Sequence, residues 1–366
     1  MSKRPQRSCR KRAVVVESDD ERPRRGKQRS DNNSHKWKRE PPTAVPLLMP
    51  REICDGDRRK RVQILLETIR FLDEHEQQCQ TQACRNLVRW LERAAAASTS
   101  SSAYTGMRVL LIADDMLETA GKLTKECGTV FAVLNMANAV HPGGGFTTGA
   151  AAQEENMLRR TNIVKTFGSP GVLKWHGDSK VVYSNAMTRL LNATAGCVYC
   201  DHPRPWPSVS DVHICVRGRE NHNDDDLGYR FLKAAEIFPF YELRSAAVNV
   251  NSASGQNQAA QRGGVERTME QRIVAQLDTL ISRKIRHVVL SAFGCGAFGN
   301  DPRVVATIYA RLLQQPPYTS SFDVVAFSIF YAGHGQNNAF HFQEAFKEQQ
   351  LGFESYSGGY PTTSDV

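Results

Sequence analysis

Val130-Phe-Ala-Val-Leu-Asn-Met-Ala137 runs directly into Asn138-Ala-Val-His-Pro-Gly-Gly-Gly145, and this junction decides the fold class. A short apolar run bounded by turn residues predicts a buried strand. Three consecutive glycines let the backbone approach a ligand closely and point its N–H groups at it, although a glycine run alone is also typical of a flexible turn. Open α/β sheets bind ligands beyond the carboxyl ends of their strands. The junction therefore predicts a strand that ends in a candidate anion-binding loop.

Short apolar runs alternate with helical periodicities along the rest of the chain. Apolar residues that recur three or four positions apart predict helices. The expected strands are residues 107–113, 130–137, 287–292 and 322–330, and the expected helices are residues 57–73, 81–97, 116–123, 265–281, 301–314 and 339–348. Strands that alternate with helices indicate an α/β fold with a layered sheet.

Positive charge is concentrated at the start of the chain. Residues 1–40 hold 14 Lys or Arg and 6 Asp or Glu, a net charge of +8, which leaves +1 of the total of +9 for all other residues. Residues 1–45 are too poor in apolar side chains to offset their ordering entropy, so we expect a disordered basic arm. Its clusters at residues 3–12 and 22–29 have the composition of a nuclear-import signal or a polyanion-binding arm, and equally of a solvated tail.

Composition also sets the other boundaries. We expect an accessory helical segment at residues 46–105, which ends in a serine-rich break, and a layered domain at residues 106–351. Residues 352–366 are rich in Gly, Ser, Thr and Tyr, which predicts a flexible C-terminal tail.

Several classes of protein and site are excluded. The apolar runs stop after roughly seven residues, whereas a membrane span needs ~20. The basic start has no apolar segment of the secretory type, so we expect an intracellular protein, nuclear or nucleocytoplasmic if the basic clusters direct import. Nine irregularly spaced cysteines do not form a disulfide framework. Cys197-Val-Tyr-Cys200 lacks a second well-spaced pair, so we expect a variable insertion with reduced thiols and no metal.

A second glycine-rich loop, Gly294-Cys-Gly-Ala-Phe-Gly-Asn-Asp301, follows the expected strand 287–292 and precedes an expected helix. Strand, glycine loop and helix N-terminus together favour anion binding. The loop lacks the Lys-Ser or Lys-Thr of a Walker motif and the spacing of a dinucleotide fingerprint. Phe298 stands among small residues, so it either faces a ligand ring or fills the core.

Two adjacent glutamates, Glu154 and Glu155, follow the first glycine loop at an expected helix start. Carboxylates in a first helical turn are stabilised by the helix dipole, which is sufficient reason for two surface glutamates. The functional interpretation is a general acid beside bound phosphates.

Three glycines, seven intervening residues and Gln153-Glu154-Glu155 resemble the signature of the poly(ADP-ribose) glycohydrolases. Val133-Leu-Asn135 before the loop, Leu158-Arg-Arg-Thr161 after it and the second glycine loop are similar to the microbial type of that family. Weaker similarity extends from residue 58 to residue 346. The two glycine motifs are the specific part of the resemblance, and the basic arm lies outside it.

The resemblance implies a macrodomain-like α/β fold, with three α/β/α layers, a mixed central sheet and accessory N-terminal helices. It implies hydrolysis of ribose–ribose O-glycosidic bonds in poly(ADP-ribose) on modified proteins, with no cofactor, and a place in the DNA damage response. Glu155 corresponds to the catalytic acid and Glu154 to a neighbour that helps hold the ribose. Phe298 would press on the distal ribose. The expected substrate-binding residues are Asn135, Asn138, Gly143, Gly144, Gly145, Gln153, Gly294, Gly296, Ala297, Phe298, Gly299 and Asn300.

Two departures and two alternatives remain open. Asn138 stands where microbial relatives often have a small residue, and it either contacts the ribose or stabilises a turn. Tyr331 stands where relatives tend to be acidic. One alternative function is a non-catalytic ADP-ribose reader, which would need the glycines and Phe298 but would not need both glutamates. The other, suggested by the basic arm, is a nucleic-acid-binding protein.

Overall fold

The structure is a computed structural model that describes residues 56–98, 106–166, 173–176, 180–203, 212–252, 264–331 and 337–357. The prediction of a basic arm at residues 1–45 lies outside the described residues.

A mixed sheet is the centre of the described fold. Its strands are β1 (Arg108–Ile112), β2 (Ala132–Met136), β5 (Tyr199–Cys200), β6 (His213–Cys215), β7 (Phe238–Ser245), β8 (His287–Leu290), β9 (Val324–Ser328) and β10 (Glu354–Tyr356). Their order is β10-β1-β9-β8-β2-β7-β5, and β6 also pairs with β7. The pairings from β10 to β7 are parallel, while β5 and β6 run antiparallel to β7. A separate hairpin consists of β3 (Leu173–His176) and β4 (Lys180–Tyr183).

Helices cover both faces of the sheet. They are α1 (Gly56–Ser98), α2 (Met116–Cys127), α3 (Gln153–Arg160), α4 (Ile163–Thr166), α5 (Asn185–Leu191), α6 (Gly264–Ser282), α7 (Pro302–Leu313), α8 (Tyr318–Ser321) and α9 (Asn338–Glu348). In one layer α1 packs on α2 and α3, and in the other α7 contacts both α6 and α9. This arrangement confirms the predicted three-layer α/β/α fold with a mixed sheet.

Aromatic rings fill the core between β9 and the second helical layer. The ring of Phe327 on β9 lies 5.1 Å from that of Tyr309 on α7 and 5.1 Å from that of Phe346 on α9. All three side chains are fully buried. Each such pair stabilises the fold by about 0.5–1.5 kcal/mol beyond the burial of apolar area.

The accessory segment differs from its prediction. One helix of 43 residues, α1, replaces the two expected helices at residues 57–73 and 81–97. The polar stretch between them contains no Gly or Pro, and Glu and Gln are good helix formers. Leu72, Cys79 and Ala83 continue the buried stripe and pack against Ile214 and Ile237. The packing therefore carries the helix through a stretch with few apolar residues.

The predicted flexible tail is wrong at its start. Residues 354–356 form β10, which pairs in parallel with β1, so the layered domain extends beyond residue 351. Arg108 Nε donates to Glu354 Oε1 at 3.0 Å across this pair. Backbone pairing and an ion pair hold this strand in the sheet. Neither interaction requires a run of apolar residues, so the sequence pattern did not predict the strand.

Candidate active site

A cavity of about 530 Å³ lies at the carboxyl ends of the parallel strands. Five of the six parallel strands, all except β10, contribute a residue that follows the strand. Asp114 follows β1, Asn138 follows β2, Ala247 follows β7, Ser291 follows β8 and Ile329 follows β9. This is the edge where open α/β sheets bind ligands, and the volume suits a small-molecule ligand.

The first glycine loop forms one wall of this cavity, through Gly144 and Gly145. Gly144 has a φ of 55°, a left-handed conformation that favours glycine. A Cβ atom on Gly144 would lie 2.4 Å from Glu155 Oε1. The close approach of the carboxylate and the backbone conformation both require glycine at this position.

The two glutamates lie in the first turn of α3 and bind the backbone of this loop. Glu154 Oε2 accepts from Asn138 N at 2.7 Å, and Glu154 Oε1 accepts from Gly143 N at 3.1 Å. Glu155 Oε1 accepts from Gly145 N at 2.7 Å. Both side chains are buried, with relative exposures of 3% and 7%. The carboxylates therefore set the shape of the loop from inside the protein.

The pKa of Glu154 is raised to about 8. Burial is the largest cause and the nearby Glu155 carboxylate adds to it, while the hydrogen bond from Asn138 N acts in the opposite direction. Desolvation disfavours the charged form of a carboxyl group, whereas donated hydrogen bonds favour it. Near neutral pH, Glu154 is therefore mostly protonated in the unliganded site.

Gln153, Asn135 and Asn138 brace the site. Gln153 Nε2 donates to Leu134 O at 3.0 Å and its Oε1 accepts from Met136 N, which attaches α3 to β2. Asn135 does not line the cavity, because it is buried and donates to Glu242 Oε1 at 2.6 Å. Asn138 lines the cavity, and its Oδ1 accepts from Val140 N and His141 N at 2.9 Å. These hydrogen bonds show that Asn138 stabilises a turn. A contact between Asn138 and the ribose stays a prediction.

The second glycine loop lines the opposite part of the same cavity through Gly294, Gly296, Ala297 and Phe298. Phe298 is half-buried and packs against the edge of the core, so its side chain contacts both the core and the cavity.

Besides Asn135, three of the residues expected to bind substrate do not line this cavity. Gly143 donates to Glu154 as described, and Gly299 and Asn300 line a separate cavity. Asn300 Nδ2 donates to Val248 O at 2.7 Å and to Gly294 O at 3.0 Å. Asn300 therefore closes the second glycine loop and does not face the first cavity.

The family model for the catalytic domain of microbial-type PARG matches residues 64–188. This part of the chain is similar to the catalytic domain of microbial-type PARG. The match spans the first glycine loop and both glutamates and ends before the second glycine loop. PARG is poly(ADP-ribose) glycohydrolase, the family that the sequence resembles, and the family model supports that resemblance over residues 64–188.

Three solved structures are similar to this chain. Poly(ADP-ribose) glycohydrolase from Thermomonospora curvata aligns with a TM-score of 0.52 and 23% identity, covering 79% of this chain and 100% of that chain. The same protein bound to the inhibitor ADP-HPD aligns with a TM-score of 0.52 and 24% identity, over 79% of this chain and 100% of that one. The Deinococcus radiodurans protein in complex with ADP-ribose gives a TM-score of 0.47 and 22% identity, with coverages of 72% and 91%. A search of curated proteins found no match.

The sequence interpretation missed a charged wall of this cavity, formed by Asp114, Asp115 and Arg160. Arg160 is buried and donates to Asp115 Oδ1 at 2.7 Å. Asp114 pairs with Lys122 at 3.1 Å and with Arg219 at 3.0 Å. These cations neutralise both carboxylates, so the wall does not repel an anionic ligand. The position of Asp114-Asp115 directly after an apolar run was the available signal.

An exposed aromatic side chain also lines this cavity. Phe330 follows β9 and is 57% exposed. Exposed aromatic rings at a cavity present a flat apolar face to a ligand, and burial of that face stabilises a complex.

Over the described ranges there is no group of three or more His, Cys, Asp or Glu side chains that could hold a metal ion. Cys197 is exposed, while Cys200 is buried. Within the same ranges, no helix has the length and apolar character needed to cross a bilayer.

Proposed function

We propose that this protein is a poly(ADP-ribose) glycohydrolase, which hydrolyses the ribose–ribose O-glycosidic bonds of poly(ADP-ribose), releases ADP-ribose and reverses the poly-ADP-ribosylation of proteins. The observation that carries the proposal is the position of Glu155. Its carboxylate is buried at the cavity wall, and Oε1 is held by Gly145 N at 2.7 Å. Among the described residues its other oxygen has no hydrogen-bond partner, so it is available to a ligand.

Glu155 acts first as an acid. Cleavage of a glycosidic bond passes through an oxocarbenium-like transition state and leaves an alkoxide, so a protonated carboxyl near the leaving oxygen lowers the barrier. A diphosphate bound beside Glu155 disfavours a further negative charge at this place. The bond between the anomeric carbon and the bridging oxygen breaks, the oxygen keeps the electron pair, and it takes the proton of Glu155.

Glu155 then acts as a base. The oxygen of an incoming water bonds to the anomeric carbon, and the water proton returns to the carboxylate, which restores the starting state. Glu154 keeps the loop in place through Asn138 N and Gly143 N and, in its neutral form, offers a hydrogen bond to the ribose. No step requires a cofactor.

The glycine loops are the proposed diphosphate site. Gly144, Gly145, Gly294 and Gly296 line the cavity, and none has a side chain that would keep phosphate oxygens away from the backbone. We assign Phe298 to the distal ribose, as the family resemblance implies. Phe330 is the exposed ring available to the adenine.

The deciding experiment is Glu155→Gln. The amide oxygen can still accept from Gly145 N, so we expect ADP-ribose binding to persist while turnover falls by several orders of magnitude. Release of free ADP-ribose from an automodified polymer measures turnover, and calorimetry with ADP-ribose measures binding. Glu344→Gln, an exposed helical site, is the control. Hydrolysis by Glu155→Gln near the wild-type rate would remove Glu155 from the mechanism, and a wild type that binds without hydrolysis would be a reader.

We also propose that the basic arm serves the same substrate, or directs the protein to a nucleus and so to the DNA damage response. Its charge of +8 over residues 1–40 supports contact with a polyanion. A chain beginning at residue 46 should then cleave short oligomers normally and long polymers less well, with the difference vanishing at high salt. If the shortened chain cleaves short and long polymers equally well, the arm does not bind the polymer and nuclear import is the remaining role. The cellular distribution of the full and shortened chains measures import.

A further inference from the structure

A network of buried hydrogen bonds connects α1 with α3 and reaches the cavity lining at Asn156. Its centre is Tyr229, whose hydroxyl donates to Glu220 Oε2 at 2.7 Å. The same hydroxyl accepts from Arg159 Nε and from Asn156 Nδ2, each at 3.1 Å. Arg61 on α1 donates to Glu220 Oε1 from Nε at 2.9 Å and from Nη2 at 2.7 Å. One tyrosine hydroxyl thus links both helices.

The network also holds the segment that leads into α3. Arg159 Nη1 donates to Ala150 O at 2.8 Å, and Arg61 Nη1 donates to Gly149 O at 3.4 Å. The backbone of α1 abuts this segment, because a Cβ atom on Gly149 would lie 2.2 Å from Arg58 O. The first glycine loop is therefore tied to α1 at one end and to Glu154 and Glu155 along its length.

The network is buried and holds one carboxylate, Glu220, with two guanidinium groups, Arg61 and Arg159. The Arg61 and Glu220 side chains are only 8% and 9% exposed. Although burial acts in the opposite direction, the hydrogen bonds from Arg61 and Tyr229 lower the pKa of Glu220, so this carboxylate stays charged. Charge-assisted hydrogen bonds of this kind fix geometry more strictly than neutral ones.

Tyr229 occupies a backbone conformation that non-glycine residues rarely adopt. Its φ is 50°, and the nearby Leu227 has a φ of 63°. Such residues persist where their surroundings over-determine them, and they cluster at functional sites. The hydroxyl of Tyr229 provides the constraint here, since three side chains converge on it.

We propose that Arg61, Glu220 and Tyr229 form a positioning clamp for the catalytic helix. The clamp does not touch the substrate. It acts through Arg159 and Asn156, which place α3 and the glycine loop so that the Glu155 carboxyl meets the bridging oxygen. The inference rests on the proposed function and extends it, because it makes α1, which carries neither glycine motif, a part of the catalytic unit.

Tyr229→Phe tests the clamp, since it removes only the hydroxyl and keeps the ring in the core. Tyr309→Phe is the matched control, because Tyr309 is equally buried and its hydroxyl makes one hydrogen bond to Gln276, at 2.9 Å, outside the cavity. We expect kcat to fall roughly 10–100-fold in Tyr229→Phe with KM within about twofold, since small misplacements of catalytic groups act on the rate. Tyr309→Phe should keep the wild-type kcat.

Hydrogen exchange gives a second measurement. The Gly143–Ala152 amides should exchange faster in Tyr229→Phe and unchanged in Tyr309→Phe. A wild-type kcat in Tyr229→Phe, or an equal loss in both variants, would overturn the clamp. Failure of the proposed function looks different, because then the wild type itself releases no ADP-ribose. Glu220→Gln, which keeps an acceptor for Arg61, should retain more activity than Glu220→Ala, and equal loss in the two would contradict the proposal.

Discussion

Adding one methyl group at Gly144 should separate catalysis from folding. The new Cβ atom would lie 2.4 Å from Glu155 Oε1 and 3.3 Å from Glu154 Oε2. Cβ contacts under 3.0 Å are essentially never seen, so the Glu155 oxygen must move by at least about 0.6 Å. The clash involves the end of a flexible side chain, so the protein can relieve it, but only by moving the proposed acid and losing its hydrogen bond from Gly145 N.

The expected magnitudes differ for rate and stability. A catalytic group misplaced by about 1 Å costs about 100-fold in rate, so Gly144→Ala should lower kcat by roughly 10–100-fold. The φ of 55° adds backbone strain of about 1–2 kcal/mol for a residue with a Cβ atom. The variant should therefore fold with a modestly lower Tm.

Gly196→Ala is the matched control. Gly196 has a φ of 76°, so alanine meets similar backbone strain there, but nothing lies within 4 Å of its Cβ position. The assay is release of ADP-ribose from polymer per folded molecule, with a thermal melt of each variant. If Gly144→Ala stays within about threefold of Gly196→Ala in kcat, the position of Glu155 does not limit the reaction and the reasoning fails.

Two further predictions concern neighbouring side chains. The pKa of Glu154 is about 8 when folded and near 4.5 when unfolded, so the folded state binds more protons between these values and stability falls as pH rises through that window. Urea titrations at pH 5, 6.5 and 8 should show this fall, at most about 1.4 kcal/mol per pH unit, in the wild type and not in Glu154→Gln; parallel profiles would contradict the burial argument. Phe298→Ala should keep the fold and lower kcat by roughly tenfold, because the ribose is oriented less strictly. An unchanged kcat would mean that Phe298 only packs against the core.

The predictions from sequence succeeded where one local pattern determines one element. The apolar run before Asn138 is β2, and the glycine loops lie at the carboxyl ends of their strands because a parallel sheet brings those ends to one edge. β7 was missed because Glu242 and Arg244 interrupt its apolar residues. These charges are fully buried and pair at 2.6 Å, which only the fold reveals.

The site was harder to predict than the fold. Asn135 was expected to contact the ligand, but its alternation along β2 places it beneath the cavity, against Glu242. Tyr229 and Glu220 lie in a segment without a motif. Arg159, which donates to Tyr229, is 70 positions away from it in sequence, and Arg61, which donates to Glu220, is 159 positions away. Contacts of such long sequence separation leave no periodic signal in a single chain.

The hydrogen bond between Gly145 N and Glu155 matters for the design of catalytically inactive variants that are used to capture substrate. A truncation such as Glu155→Ala removes the proton donor and also leaves a loop amide without its acceptor, so a weakened complex would report on a deformed loop and not on lost chemistry. A substrate-trapping variant for polymer-modified proteins should therefore carry glutamine at this position, because glutamine keeps the loop able to bind the polymer while the reaction is blocked.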